Sequence, residues 1–431
     1  MTKRMLLAIL LLIVFALPAG CQKQGGEPTQ PTAPAPTILP THTPEPSPTP
    51  TPDPVGEALA GMTVEQKAAQ LLVAGIEGTE PGEDAVQAVQ GYQVGGVILF
   101  GRNVESAEQL AALTNGLKEL NGDYTPLFLC VDQEGGRVDR MPPEVSRTPS
   151  AWRVGQAMAR GTAGAEYGVL LAEECAAFGF NMDFAPSLDI WSNPDNTVIG
   201  DRAFGGDWEW VTDFGFRAVE AMAERGDVIP VVKHFPGHGD TAVDSHTALP
   251  VVDKTLEDLW QSELVPFDMV LSGQFWGEPV MEPAPAVMVA HILLSQIDPD
   301  NPASLSPEVV TGLLREEMGY EGVVCTDDLT MGAISNTYGM GEAAVLAVEA
   351  GCDLLLVCHG ADNLAAAHAA LVEAVESGRI SMERLDESVY RVLSLKAVYG
   401  LSNAPVEAPD IEALNDRIAA LERSIEADTS Q

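Results

Sequence analysis

Short apolar runs rich in β-branched residues recur along the chain, and segments with helical periodicity lie between them. The runs that we interpret as strands are Leu71–Ile76, Val94–Phe100, Leu127–Val131, Met182–Ala185, Val228–Val232, Ala286–Ala290, Gly322–Cys325 and Cys352–Val357. The helices are predicted over Ser106–Leu120, Gly164–Phe178, Trp208–Arg225, Leu256–Leu271, Pro307–Met318 and Glu342–Ala350. Continuous apolar strands alternating with helices indicate a parallel sheet covered on its faces.

The number of strands distinguishes a closed (β/α)8 barrel from an open parallel sheet. Eight such strands between Val55 and Gly400 favour a (β/α)8, TIM-like barrel that forms a single catalytic domain over an open sheet. No Gly-x-Gly-x-x-Gly follows the first strand, which argues against a dinucleotide-binding fold. Residues 401–431 are left as a short charged C-terminal tail.

The N-terminus has the pattern of a secretory signal. Lys3 and Arg4 precede an apolar run from Met5 to Leu17, which is too short to cross a bilayer comfortably. Cys21 directly follows Ala-Gly and resembles the lipidated cysteine of a lipobox, although Leu17 stands one place earlier than the usual leucine. We therefore predict a signal peptide over residues 1–20 and lipidation of Cys21. An ordinary cleaved signal peptide with an incidental cysteine is the alternative.

Residues 21–54 follow as a segment dominated by Pro, Thr, Ser and Gly. Such a composition buries too little apolar surface to offset chain entropy, so a disordered linker is predicted. The repeated Thr-Pro pairs favour extended polyproline geometry and hence a semi-rigid tether. With the lipid, the tether would hold the domain on the extracytoplasmic side of the cell membrane.

The charge distribution restricts the partners. The formal net charge is −40, and the charges of the first 54 residues cancel, so the excess belongs to the predicted domain. Phosphate backbones attract basic surfaces, so nucleic acid is not an expected partner of this acidic domain. An acidic surface would also be repelled by anionic lipid, so we expect the lipid anchor alone to attach the protein to the membrane. We expect a monomer.

The cysteines do not describe a disulfide scaffold. With Cys21 lipidated, an odd number remains without dense spacing, and most of these lie in or beside apolar strands. They are best explained as small buried hydrophobes. A bridge between Cys325 and Cys358 on neighbouring strands remains open.

Polar side chains follow six of the eight predicted strands. They are Asp132, Asp189, the pair Lys233 and His234, His291, Asp327 and His359. Active sites of (β/α)8 barrels assemble at the carboxyl ends of the strands. Each residue alone could be a polar strand end that meets solvent, but the set indicates an active site.

The carboxylates indicate glycoside cleavage, for which a retaining enzyme needs a nucleophile and a proton donor. Asp327 at the mouth of the seventh strand is the candidate nucleophile. Adjacent strand residues face opposite sides, so Asp328 is expected to hydrogen-bond to backbone and hold the turn. Asp244 stands two residues before His246 in a glycine-flanked loop, where a carboxylate can orient an imidazole as general acid/base. A surface turn is the alternative for that loop.

Other polar residues suit sugar hydroxyls. Lys233 and His234 could donate hydrogen bonds, Asp132 could accept them, and rim positions could be filled by Arg137, Arg140 and Arg202. A structural ion pair is the alternative for Arg137 and for Glu134. A metal site is disfavoured, because Pro236 and Gly237 prevent the helix that would align His234 with His238.

Several segments together resemble glycoside hydrolase family 3, specifically its β-N-acetylglucosaminidase branch. These segments are Asp132–Arg140, Asp201–Gly205, Lys233–Gly239 with Asp244-Ser245-His246, and Gly322–Leu329. The resemblance covers roughly residues 57–400, and the combination Lys-His-Phe-Pro-Gly-His-Gly with Asp-Ser-His is highly specific. The segment 272–285 is longer than the usual linker of the family, and no role is assigned to it.

The resemblance implies a retaining, exo-acting enzyme that releases terminal β-linked N-acetylglucosamine from peptidoglycan fragments through a covalent glycosyl-aspartate. It implies Asp327 as nucleophile, the pair His246 and Asp244 as acid/base, no cofactor and no metal. The implied sugar contacts are Asp132, Arg140, Arg202, Lys233 and His234. Two alternatives stay open, a β-N-acetylglucosaminide phosphorylase and a non-catalytic sugar-binding lipoprotein.

Overall fold

The computed structural model describes residues 53–157, 160–241, 243–245 and 247–429. The predicted signal peptide, the lipidated Cys21 and the linker up to residue 52 lie outside these ranges. His246 lies outside them as well, whereas its neighbours Asp244, Ser245 and Thr247 are described.

A closed parallel barrel forms the centre of the molecule, as predicted. Its strands are β1 Leu72–Gly75, β2 Gly96–Ile98, β3 Phe128–Val131, β4 Met182–Asp183, β5 Ile229–Phe235, β6 Ala286–Val289, β7 Val323–Asp328 and β8 Leu354–Val357. Each strand pairs with its sequence neighbours, and β8 closes the barrel onto β1. All eight predicted runs overlap one of these strands, and β5 and β7 extend beyond their predicted ends. Strand β5 continues through Lys233 and His234 to Phe235, so these two residues lie within the strand rather than at its end.

Alternation along the strands divides the core into two layers. Val73, Phe128 and Met182 belong to a cluster inside the barrel, whereas Leu72 and Ala74 belong to the larger cluster between strands and helices. Both faces of each strand are therefore apolar, and this explains why the strands are continuous hydrophobic runs.

Helices surround the barrel. They are α1 Pro54–Ala60, α2 Val64–Gln70, α3 Glu83–Val86, α4 Ala107–Asn121, α5 Ala151–Val154, α6 Arg160–Ala177, α7 Trp208–Arg225, α8 Leu256–Trp260, α9 Leu264–Ser272, α10 Gly332–Ser335, α11 Met340–Ala350, α12 Ala361–Glu376, α13 Met382–Val398 and α14 Ile411–Thr429. π-Helical turns span Gln87–Tyr92 and Glu308–Glu317, and 3₁₀ turns span Gly101–Asn103, Gly200–Arg202 and Ala303–Leu305. Among the described residues, no helix is long and apolar enough to cross a membrane.

Two predicted segments differ in the structure. The single helix expected over Leu256–Leu271 is two helices, because Pro266 lacks the N–H that a continuous helix would need and is tolerated in the first turn of a new one. The segment 272–285 contains a two-stranded hairpin, Gln274–Phe275 paired with Glu278–Pro279. Phe275 packs its ring on Phe216 of α7 at a centroid distance of 4.8 Å.

The C-terminal segment extends the packed body beyond the predicted boundary at residue 400. Helix α14 contacts α6, and its apolar stripe of Leu414, Ile418, Leu421 and Ile425 is buried. A charged sequence with one apolar face thus forms an additional covering helix rather than a loose tail.

The five described cysteines are free and buried, so the bridge considered between Cys325 and Cys358 is not formed. The strand register gives the reason. Cys325 lies opposite Leu354, and Cys358 is four residues further along, about 13 Å at 3.3 Å per residue. Burial raises the pKa of both thiols.

A buried carboxylate joins the last two strands to the helices outside them. Asp353, just before β8, accepts hydrogen bonds from Arg315 (2.6 Å), Ser388 (2.6 Å) and the Val324 N–H (3.0 Å). The side chain is fully buried, and Arg315 also donates to the carbonyls of Tyr320 and Gly322. This network fixes β7, which carries Asp327, against β8.

Candidate active site

A cavity of about 200 Å³ opens at the carboxyl ends of the barrel strands. Among the residues that line it are Asp132, Arg140, Arg202, Lys233, His234 and Asp327, all of which the sequence analysis singled out. Glu134, His238, Ser245, Phe100, Met331 and His359 line it as well. Strands that are far apart in sequence deliver these groups to one place because their carboxyl ends share one face of the barrel.

The floor of the cavity is a network of four charged side chains. Lys233 Nζ lies 2.6 Å from Asp132 Oδ1 and 2.6 Å from Glu134 Oε1. Arg202 donates two hydrogen bonds to Glu134, at 2.7 Å and 2.8 Å. The Glu134 side chain is 2% exposed and that of Asp132 is 20% exposed, so Asp132 is the more accessible of the two carboxylates.

The network keeps its members charged despite their burial. Burial favours neutral forms, but Arg202 and Lys233 outweigh this effect and hold the pKa of Glu134 far below its usual value. Burial likewise opposes the charge of Lys233, and Asp132 and Glu134 raise its pKa on balance. Glu134, for which a structural ion pair was the alternative, thus orients the two cations. Arg137 does form such a pair, with Asp201 at 3.0 Å.

His234 is oriented from below by Asp189. Its Nδ1 lies 2.5 Å from Asp189 Oδ2, and its Nε2 lies 3.2 Å from Arg202 Nη2. Because a guanidinium only donates, Nε2 accepts and Nδ1 donates to Asp189. Burial would raise the pKa of Asp189, but His234 and the His238 N–H (2.6 Å) lower it to about 2. Asp189 supports the site and is not among its lining residues.

Arg140 reaches the cavity from the segment after β3. Its backbone N–H donates to Gln133 Oε1 at 2.8 Å, and Gln133 Nε2 donates to the buried Glu174 at 2.8 Å. Burial raises the pKa of Glu174 to about 8. Arg140 Nε is buried and has no acceptor among the residues that the structure describes. A buried donor in a cavity wall is suited to a ligand oxygen.

Asp327 lies in β7 on the opposite side of the cavity. Its Oδ1 accepts the N–H of Asp328 at 2.8 Å. Burial would raise the pKa of Asp327, but His291, His234, this backbone N–H and Lys233 outweigh it and hold the pKa below its ordinary value. The side chain is therefore an ionised carboxylate at neutral pH, as a nucleophile must be.

Two neighbours hold the turn that presents Asp327. Asp328 accepts hydrogen bonds from the Thr330 N–H (2.9 Å) and the Cys358 N–H (3.1 Å), so it holds the turn as expected. His291 Nε2 donates to the Asp328 carbonyl at 3.0 Å, and its Nδ1 accepts from Ser304 at 2.6 Å. Burial lowers the pKa of His291.

The loop after β5 brings Ser245 to the cavity. His238 is buried and is hydrogen-bonded to Thr241 (2.8 Å) and Ser245 (3.2 Å). Ser245 in turn lines the cavity, and its carbonyl accepts the Ala333 N–H at 3.1 Å. At Gly239 an added Cβ would lie 1.8 Å from the Ile190 carbonyl oxygen, so glycine is required for this close approach.

Of the predicted acid/base pair, only Asp244 belongs to the described residues. The Asp244 carbonyl accepts the N–H groups of Thr247 (3.0 Å) and Ala248 (3.1 Å). The His246 side chain itself lies outside the described residues, and Asp244 is not one of the lining residues.

The positions of His238, Ser245 and Phe100 in the cavity wall were not predicted from the sequence. His238 and Ser245 belong to the loop that was singled out, but their mutual hydrogen bond depends on how the loop folds back. Phe100 was included in a strand as an apolar residue, and nothing in its local pattern distinguishes it from a core side chain. His359 was recognised as a strand-end residue without an assigned contact.

An ionised carboxylate faces a network of buried, oriented charges across a barrel cavity, which defines the class of a barrel glycoside hydrolase. A model of the glycosyl hydrolase family 3 N terminal domain matches residues 63–395. The chain belongs to glycosyl hydrolase family 3.

Named relatives and a solved structure are similar over most of the chain. Beta-hexosaminidase A of Pseudoalteromonas piscicida is 34% identical over 74% of this chain, which spans 56% of that protein. Beta-hexosaminidase of Alkalilimnicola ehrlichii is 38% identical over 67% of this chain and 80% of its own length. A family 3 β-N-acetylglucosaminidase structure from Paenibacillus sp. str. FPU-7 superposes with a TM-score of 0.78 and 42% identity, covering 84% of this chain and 69% of that one.

The low pKa of Asp327 predicts the acid side of the pH–activity profile. A carboxylate with a lowered pKa stays charged as the pH falls, so kcat/KM should be maintained down to about pH 4, the ordinary range of an Asp. The measurement is kcat/KM for an aryl glycoside as a function of pH, with recovery of activity at neutral pH as the stability control. An acid limb near the ordinary histidine pKa of about 6.5 would contradict the prediction.

Proposed function

We propose that this protein is a retaining, exo-acting β-N-acetylglucosaminidase that cleaves terminal N-acetylglucosamine from peptidoglycan fragments. The observation that carries the proposal is the ionised Asp327 facing the Lys233–Asp132–Glu134–Arg202 network across a small cavity. The names of the similar proteins, beta-hexosaminidase and β-N-acetylglucosaminidase, support the activity and the sugar.

The cavity supports exo action on a single sugar unit. Its volume of about 200 Å³ is below the roughly 300–1,000 Å³ of sites for drug-sized ligands. The sugar's hydroxyls would meet Asp132, Lys233 and Arg140, and those groups hold fixed positions before a ligand arrives. Preorganisation of this kind reduces the ordering cost of binding and leaves C1 near Asp327.

The proposed reaction has two displacement steps. In the first, a carboxylate oxygen of Asp327 bonds to C1 while the C1–O bond breaks, and the departing oxygen takes a proton from His246. In the second, His246 accepts a proton from water, the water oxygen bonds to C1, and Asp327 leaves as a carboxylate. Asp244 would stabilise the charged imidazole, which is the form before the first step and the form restored by the second.

The first prediction from this mechanism is covalent labelling of Asp327. A slowly released 5-fluoro-N-acetylglucosaminyl fluoride should attach to the Asp327 peptide, located by mass spectrometry, because the glycosyl-enzyme forms faster than water cleaves it. Asp327→Asn should lose the label and on the order of 10⁴-fold or more in kcat/KM. Asp362→Asn on the surface helix α12 is the matched control and should keep both. A label on another side chain would sink the nucleophile assignment.

Analysis of the sugar products separates a hydrolase from the two alternatives. A hydrolase releases free N-acetylglucosamine with or without inorganic phosphate, whereas a phosphorylase forms the sugar 1-phosphate when phosphate is added. No turnover of either kind would favour the sugar-binding lipoprotein instead.

His246→Ala tests the acid/base assignment. Loss of the proton donor should slow substrates with basic leaving groups by about 10²–10⁴-fold in kcat/KM and dinitrophenyl glycosides far less, since the latter depart without a proton. The measurement is the dependence of kcat/KM on leaving-group pKa, with wild type as reference. An equal loss for all leaving groups would exclude the acid role.

We also propose that Cys21 is lipidated and that the enzyme is held on the extracytoplasmic face of the membrane by that lipid. The basic start, the apolar run and Ala-Gly-Cys21 support this. In a bacterial host, wild type should incorporate labelled palmitate and enter the detergent phase, and Cys21→Ser should do neither. Cys130→Ser, which changes a buried cysteine of the barrel, is the matched control; equal labelling of wild type and Cys21→Ser would refute the anchor.

A further inference from the structure

The segment after β3 joins the cavity to the layer of helices outside the barrel. Asp132, Glu134 and Arg140 of this segment line the cavity. Gln133 lies between the first two in sequence but is fully buried and is not a lining residue. Its side chain instead contacts Glu174 of helix α6. A displacement of that helix residue can therefore reach the cavity through a single side chain.

Gln133 is held by hydrogen bonds at three points. Its backbone N–H donates to Asp183 Oδ1 of β4 at 2.9 Å. Its Nε2 donates to Glu174 Oε2 at 2.8 Å, and its Oε1 accepts the backbone N–H of Arg140 at 2.8 Å. An amide side chain that uses both its donor group and its acceptor in this way has one defined orientation. Gln133 therefore links the position of Glu174 to the backbone of Arg140.

Glu174 is a fully buried acid on the far side of this link. One of its oxygens faces Gln133, and the other lies 2.5 Å from Thr148 Oγ1. Burial raises the pKa of Glu174 to about 8, and the nearby Asp139 acts in the same direction. At neutral pH the group is therefore mainly an uncharged acid. It accepts a hydrogen bond from Gln133 without adding a third carboxylate charge to those of the cavity floor.

We propose that Glu174 is a positioning residue of the reaction, which acts through Gln133 to hold Arg140 where its Nε donor meets the sugar. This inference rests on the proposed function and adds a residue that lies outside the cavity. Arg140 Nε is buried and has no acceptor among the described residues, so a protein partner does not fix its direction. The bond from Gln133 fixes the backbone from which this side chain starts, and a shift at Glu174 moves the donor.

Glu174→Leu tests the link, because leucine is of similar size and cannot hydrogen-bond. The variant should raise KM for p-nitrophenyl N-acetyl-β-glucosaminide by about 10-fold and keep kcat within about 3-fold, since a misplaced donor weakens ground state and transition state alike. Glu174→Gln carries an acceptor for Gln133 and a donor for Thr148, as the neutral acid does. It should keep KM within about 2-fold of wild type. Steady-state kinetics at neutral pH gives both constants.

The matched control is Glu173→Leu, which makes the same change at the adjacent position of α6. Glu173 pairs with Arg225 at 3.3 Å and with Arg417 at 3.0 Å, away from the cavity. Its replacement should leave KM unchanged. Wild-type KM in Glu174→Leu would overturn the positioning role, and so would a loss in Glu174→Gln as large as that in Glu174→Leu.

A double-variant cycle separates action through Arg140 from a general structural effect. Arg140→Ala should itself raise KM, because it removes the donor. Adding Glu174→Leu to Arg140→Ala should then change KM by no more than about 2-fold, since residues that act through one another are not additive. If Glu174→Leu raises KM by the same factor in both backgrounds, the effect does not pass through Arg140 and the proposal is wrong.

Gln133→Met provides the same test should Glu174→Leu fail to fold, as judged by circular dichroism. Methionine keeps the length of the side chain and removes both of its hydrogen bonds, so the same rise in KM and the same dependence on Arg140 are expected. A wild type that cleaves no N-acetylglucosaminide would refute the proposed function itself. An active wild type with unchanged KM in the folded variants would refute the positioning role alone.

Discussion

The pairing of buried charges at Lys233 is the interaction on which the site depends. An ammonium group with a side chain 1% exposed is stable as an ion only when carboxylates satisfy it, and here Asp132 and Glu134 both lie 2.6 Å away. Removing one partner of such a pair typically costs about 3–5 kcal/mol, because the other charge is left buried. The network therefore requires β3 and β5 to keep their mutual position, which is also the position that a sugar needs.

The same constraint explains why so many supporting residues are polar and buried. Glu134 orients Arg202, Asp189 orients His234, and Gln133 positions the backbone of Arg140. Each group is fixed by a partner below the cavity, so that its position is set before a ligand binds. A site of this kind does not need to reorganise when charge develops at C1, which is how fixed dipoles lower a barrier. Asp327 is likewise held as an anion by fixed neighbours, because nearby imidazoles and a backbone N–H lower its pKa.

The side chains at the mouth of the cavity have a different character from those on its floor. The floor consists of charges in fixed pairs, whereas the rim carries the stacked rings of Phe100 and His359 and Ser245 of the loop after β5. Charged groups suit the hydroxyls of a sugar, whereas flat rings offer a less polar surface.

The amino-acid sequence alone determined the barrel, because strands buried on both faces must be continuous apolar runs and a parallel barrel places their carboxyl ends together. It also marked Asp132, Lys233, His234 and Asp327, since polar residues at the ends of such strands are conspicuous. Only the tertiary structure shows the features that leave no pattern in the local sequence. The register of β7 on β8 separates Cys325 from Cys358, and barrel closure joins Phe100 to His359 across β1. Helix α14 becomes part of the body through its contact with α6. These three features depend on distances between segments that are remote in sequence. Tertiary packing sets those distances, and the hydrophobic periodicity of the sequence does not predict them.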